Sequence, residues 1–141
     1  MFKIKVISVG KTKEAWLKEA LDAYSQRLKA TVSMEWVLLK NVQQLNDAVK
    51  KEPFYICLDP NGKAYSSEGF STFLFQQLIA QGARLTFVIG GPEGIPQEII
   101  RKASFLLSFS QMTFTHQMIR LLLLEQLYRA IEIHKGTAYH K

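Results

Sequence analysis

Leu85-Thr86-Phe87-Val88-Ile89-Gly90-Gly91-Pro92-Glu93-Gly94 is an apolar run that stops in a glycine-rich turn. A short run bounded this way reads as a strand buried on both faces, the kind that builds parallel sheets. Glycines at the carboxyl end of such a strand let the backbone approach a ligand closely. They also make ordinary tight turns. Position decides in favour of the ligand, because open α/β sheets bind outside the carboxyl ends of their strands.

The pattern repeats on both sides. Residues 2–9 start with strand alternation and turn continuously apolar, until Gly10-Lys11-Thr12 breaks them. Leu17, Leu21, Tyr24 and Leu28 at helical spacing predict an amphipathic helix over 14–28. Residues 32–39 read as a strand, 42–51 as a short helix with Leu45, Ala48 and Val49 inward, and 54–58 as a third strand. Asp59-Pro60-Asn61-Gly62 is a turn signal. Ser66 or Ser67 caps a helix to about Gln81, and Gly82 stops it. Pro96 suits the first turn of a helix through Lys102, and 105–107 is a short fifth strand. A polar loop, 108–115, leads to a last helix over 116–135, which Gly136 releases into a short tail. Alternating strands and helices predict one α/β domain over residues 1–141, with a mostly parallel sheet covered by helices on both faces.

Composition narrows the function. The 141 residues are 48% hydrophobic and 21% charged, which excludes a disordered chain and suffices for a core without disulfides or metals. The single cysteine, Cys57, lies in the apolar run 54–58 and reads as a buried, reduced thiol. The net charge of +6 favours polyanionic partners, although no Lys/Arg cluster forms a nucleic-acid arm. Nothing resembles a signal peptide, and the apolar block 118–124 is too short for a bilayer and is broken by Arg120. A cytoplasmic protein is the expectation. Gly10-Lys11-Thr12 is no phosphate-binding loop, because that motif needs a glycine where Lys5 stands. His116, His134 and His140 lack metal-ligand spacing, so no metal is expected.

The last helix carries apolar residues on nearly every side, from Met118 to Ile133. One sheet hides one stripe, so a helix apolar all round needs a second surface. A partner subunit would supply it, and a homodimer through this helix is expected; a helix wholly internal to the monomer is the alternative. Three strand ends, 58–62, 90–94 and 108–114, together could wall a pocket for a small molecule with an apolar body and polar edges, such as an adenine nucleoside.

Three blocks carry a resemblance to a known family. They are Phe87–Gly94, the long stretch from Phe109-Ser110-Gln111-Met112-Thr113-Phe114 through Thr115-His116-Gln117-Met118 to Ala130, and the terminal Tyr139-His140-Lys141. The chain resembles the RlmH (YbeA) family of small SPOUT-class methyltransferases, which modify N3 of a pseudouridine in 23S ribosomal RNA. The resemblance spans the whole chain. It implies a C-terminal trefoil knot, a homodimer, S-adenosylmethionine as cofactor, and the assembled ribosome as substrate. It places cofactor contacts at Leu58, Gly91, Phe109, Ser110, Gln111, Met112, Thr113 and Phe114. It also places the C-terminal tail at the active site, over the partner's cofactor pocket. Three features depart from the family: Thr115 stands where proline usually precedes the histidine, the span between the second and third strands is short, and Lys141 stands where the family tail often has arginine and a further acidic residue.

N3 of pseudouridine carries a proton that must leave before its lone pair can attack, so a base or cationic groups near the carbonyls would help. By this resemblance His140 is the candidate proton acceptor. Arg129 and Lys141 are candidates to stabilise negative charge, and Tyr139 to stack on the base. Taken alone, His140 is also an ordinary solvated tail residue, and Arg129 an ion-pair partner of Glu125 four positions earlier. A catalytically idle knotted domain that binds RNA or a nucleoside is the competing expectation.

Overall fold

The structure is a computed structural model, and it describes residues 1–140; Lys141, a candidate for charge stabilisation, lies outside the described residues. The elements run β1 (Phe2–Val9), α1 (Ala15–Leu28), β2 (Val32–Leu39), α2 (Val42–Val49), β3 (Ile56–Ala64), α3 (Ser67–Ala80), β4 (Arg84–Ile89), α4 (Gln97–Lys102), β5 (Phe105–Ser108) and α5 (His116–Lys135). The five strands form one sheet in the order β2-β1-β4-β3-β5, and every pairing is parallel. The expected α/β layout is therefore present.

Strand alternation sorts the apolar side chains onto two faces. Ile4, Val6, Ile56, Leu58, Leu85, Phe87 and Ile89 join the larger core with α1, α3 and α5. Ile7, Cys57 and Val88 face the opposite way, into a smaller core with Leu45 and Val49 of α2 and Ile99 of α4. Residues on both faces are buried, which is why these strands read as nearly continuous apolar runs. Cys57 is a free, buried thiol, and burial pushes it up to about 12.

Caps fix the helix starts. Asn41, Ser66 and Thr115 each accept a hydrogen bond from a backbone N–H three residues on, at 2.9, 3.0 and 3.2 Å. Thr115 thus does for α5 what a stiff residue there would do less directly. Gly136, with φ 75°, closes the far end.

One expectation is corrected. The segment 59–62 does not end β3. The strand shifts register between Leu58 and Lys63 and then pairs again with β5, Lys63 opposite Leu107 and Ala64 opposite Ser108. The bulge absorbs Asp59-Pro60-Asn61-Gly62, with Asn61 N–H donating to Asp59 Oδ1 at 2.8 Å. A Cβ on Gly62 would sit 2.6 Å from the Leu106 carbonyl carbon, so only glycine lets the two backbones lie this close.

Helix α5 buries Leu123, Leu124, Leu127, Ala130 and Ile131 in the larger core. Ser71 Oγ on α3 donates to the Ala130 carbonyl at 2.7 Å and anchors the two helices. Met118, Leu121, Leu122, Tyr128 and Ile133 stay partly exposed along the helix.

Candidate active site

A cleft of about 570 Å³ opens at the bulge of β3 and the carboxyl ends of β4 and β5. Leu58, Ile89, Leu107, Phe109 and Ile119 give it apolar walls, the turn 90–95 a backbone rim, and 109–116 the opposite wall. The three segments singled out in the sequence, 58–62, 90–94 and 108–114, meet here, the first of them at a bulge and not at a strand end. Of the expected cofactor contacts, Leu58, Gly91, Phe109, Ser110, Met112, Thr113 and Phe114 line it, whereas Gln111 does not and is exposed. A second cavity, about 410 Å³, lies at the opposite, amino ends of the strands, where Lys5 and Thr86 are already bound to Glu52.

The glycine turn is tightly made. Gly94 N–H donates to the Gly91 carbonyl at 3.0 Å, and Gly94 has φ 83°. A Cβ on Gly90 would lie 2.5 Å from the Gly94 carbonyl carbon. One on Gly91 would meet Val9 at 3.3 Å, tight but with a side chain that can give. The sequence reading picked Gly91; the backbone geometry makes Gly90 the stricter requirement.

Two residues outside the expected site, Arg120 and His116, support this corner; the sequence suggests for His116 only that it caps or orients the last helix. Arg120 is fully buried. Its guanidinium donates to Gly10 O (2.7 Å), Val9 O (3.1 Å), Thr12 Oγ1 (3.1 Å) and Ser8 Oγ (3.2 Å), clamping the end of β1 to α5. An arginine inside an apolar run looks like a break, and only the polar Ser8, Gly10 and Thr12 hinted at a clamp. His116 lines the cleft. Burial, then Arg120 and Lys13, lower its pKa, so it is neutral near pH 7. Gln117 Nε2 donates to the Lys11 carbonyl at 2.9 Å, which orients the amide. The same nitrogen lies 3.2 Å from His116 Nε2, which therefore accepts and leaves Nδ1–H as the ring's donor.

The tail forms a separate cluster on α5. Glu125 takes Arg129 Nε and Nη2 at 3.2 and 3.1 Å and the Tyr139 hydroxyl at 3.0 Å. Arg129 lies over the Tyr139 ring, 5.0 Å from its centre. Burial and the bond to Glu125 push Tyr139 up to about 12. Arg129 Nη1 meets His140 Nδ1 at 2.9 Å, and His140 Nε2 contacts Glu68. A guanidinium only donates, so Nδ1 accepts and Nε2–H points to Glu68. Arg129, Tyr139 and His140 are thus brought together, but none of them lines the cleft of the same chain.

A family model described as "Predicted SPOUT methyltransferase" matches residues 2–140. The chain belongs to the SPOUT methyltransferase family. A SPOUT relative named "Ribosomal RNA large subunit methyltransferase H", from Protochlamydia amoebophila (strain UWE25), is 49% identical, with 100% of both chains covered. Among solved structures, a probable methyltransferase from Bordetella pertussis Tohama I matches with a TM-score of 0.61 at 10% identity, covering 92% of this chain and 96% of that one. A putative methyltransferase from Legionella pneumophila, solved with bound SAM, matches at TM-score 0.50 and 15% identity, covering 92% and 66%. These structural matches show that the fold of this chain is shared by proteins with which it has little sequence identity.

Proposed function

We propose that the chain is an S-adenosylmethionine-dependent methyltransferase acting in the cytoplasm on N3 of a pseudouridine in 23S ribosomal RNA, on the assembled large subunit. The observation that carries this reading is the cleft, where the glycine turn and the 109–116 wall face each other across the strand ends. The name of the 49% identical relative supports ribosomal RNA as the substrate class.

The residues present fit the cofactor. Apolar walls suit an adenosine, and the Ser110, Thr113 and Thr115 hydroxyls and the turn's backbone supply polar edges. No lysine or arginine lines the cleft among the described residues, and Asp59 is its only carboxylate. That balance suits a sulfonium cation and not a polyphosphate. Leu58, Gly91, Phe109, Ser110, Met112, Thr113 and Phe114 would hold the cofactor, which supplies an electrophilic methyl group when bound. Gln111, exposed beside them, would contact it only at the rim.

The chain's own residues must then hold the acceptor base in line and remove its N3 proton. In this reading the tail acts across a homodimer, the partly exposed apolar residues of α5 meeting the partner and the tail bringing Tyr139, His140 and Lys141 to the partner's cleft. His140 Nδ1 offers the lone pair for the proton. Arg129, released from that nitrogen, and Lys141 steady the negative charge on the base, and Tyr139 packs on its face. Helix α5 packs against both α1 and α3; the trefoil knot that the resemblance implies is part of this reading. Calorimetry with S-adenosylmethionine, followed by methylation of ribosomes lacking the modification, tests the whole reading. Binding without transfer would favour the idle domain, and no binding would refute both.

A further inference from the structure

A second groove, about 500 Å³, adjoins the cofactor cleft and shares Gly91, Pro92, Phe114, Thr115 and His116 with it. Its other side is the start of α1, with Lys13, Glu14 and Trp16. Two large aromatic side chains border it with much of their surface in solvent, Trp16 at 53% and Phe114 at 43%. Gln117 lines it as well, with its amide held by the Lys11 carbonyl. The buried Arg120 clamp on residues 8–12 holds the approach to this groove in place.

Each feature answers to one kind of occupant. Exposed aromatic faces bind nucleobases by stacking, with little regard to base identity. Lys13 can neutralise a phosphate. His116, with its donor tautomer fixed by Gln117, suits a base carbonyl. The shared wall would bring such a base beside the methyl donor.

Resting on the methyltransferase reading, we propose that this groove holds the acceptor nucleotide of the RNA, with Trp16 as its stacking surface, Lys13 for its phosphate and His116, its tautomer set by Gln117, reading its edge. Trp16→Ala should raise KM for the ribosomal substrate about 10-fold, within the range of one base–aromatic stack. Its affinity for S-adenosylmethionine should stay within about 2-fold, because Trp16 does not line the cleft. Trp16→Phe should restore most of the loss. Unchanged kcat/KM in Trp16→Ala would overturn the proposal. So would a changed sedimentation coefficient for that variant, which would make the face a subunit contact. A second readout does not depend on turnover. Trp16 and Trp36 are the only two tryptophans, so a Trp36→Phe protein reports on Trp16 alone. A 23S RNA fragment that binds this protein should quench it, and binding without quenching overturns the groove whether or not methyl transfer occurs.

Discussion

Replacing Arg120 with methionine isolates what the buried clamp contributes. The substitution keeps much of the side-chain volume and removes four donated hydrogen bonds of 2.7–3.2 Å. The Ser8 and Thr12 hydroxyls can turn to other partners, but the Val9 and Gly10 carbonyls cannot. Each buried acceptor left unpaired costs about 1–3 kcal/mol, so the two carbonyls together cost roughly 3 kcal/mol. Against this, the guanidinium has no carboxylate within its hydrogen bonds, and burial lowers its pKa, so its removal relieves a desolvation penalty. The net expectation is a loss of about 2 kcal/mol. For a domain of this size that corresponds to a fall in Tm of roughly 8 °C. Arg120→Ala, which adds a cavity, should lose about twice as much. Thermal unfolding at fixed protomer concentration measures both. A methionine variant as stable as the parent would refute the reasoning, because desolvation would then outweigh the clamp.

Other outcomes follow from the same geometry. Gly90→Ala should weaken S-adenosylmethionine binding more than Gly91→Ala, since its Cβ meets backbone at 2.5 Å and the other meets a side chain at 3.3 Å; calorimetry with equal affinities would contradict this. Glu125→Gln should lower kcat while leaving cofactor affinity unchanged, because it loosens both Arg129 and Tyr139; single-turnover assays beside calorimetry read the split. Cys57 and Tyr139 are both raised to about 12 in the fold. Their contribution to stability is full below their unfolded values, near 9 and 10, and is lost as pH rises through 12. Urea midpoints should therefore fall between about pH 9 and 12, and a flat profile there would count against the burial of both groups. Removing residues 139–141 should spare cofactor binding and stop turnover; normal turnover would exclude the tail from the site.

The fold was largely legible because buried parallel strands and amphipathic helices announce themselves by period. The rule about carboxyl ends joins the three segments into one cleft without the strand order, although 58–62 is a bulge inside β3 and not its end. The β3 bulge was hidden, since Asp59-Pro60-Asn61-Gly62 is the same string whether a strand turns or merely kinks; only the Gly62–Leu106 approach distinguishes them. Arg120 and His116 escaped because their roles come from residues more than a hundred positions away, Gly10 and Lys11 among them. The tail's residues were found by resemblance, but their mutual arrangement on α5 depends on Glu125 and Glu68, whose part no local pattern marks.

The clamp between Arg120 and Gly10 has a consequence for biosynthesis. It joins residues 110 positions apart, near opposite ends of the chain. The end of β1 is made early but stays unfixed until α5 has been synthesised. The wall at 109–116 also comes late, and non-local pairings of this kind form slowly. The cleft is therefore among the last parts of the molecule to mature, and a chain ended before α5 lacks the Arg120 clamp.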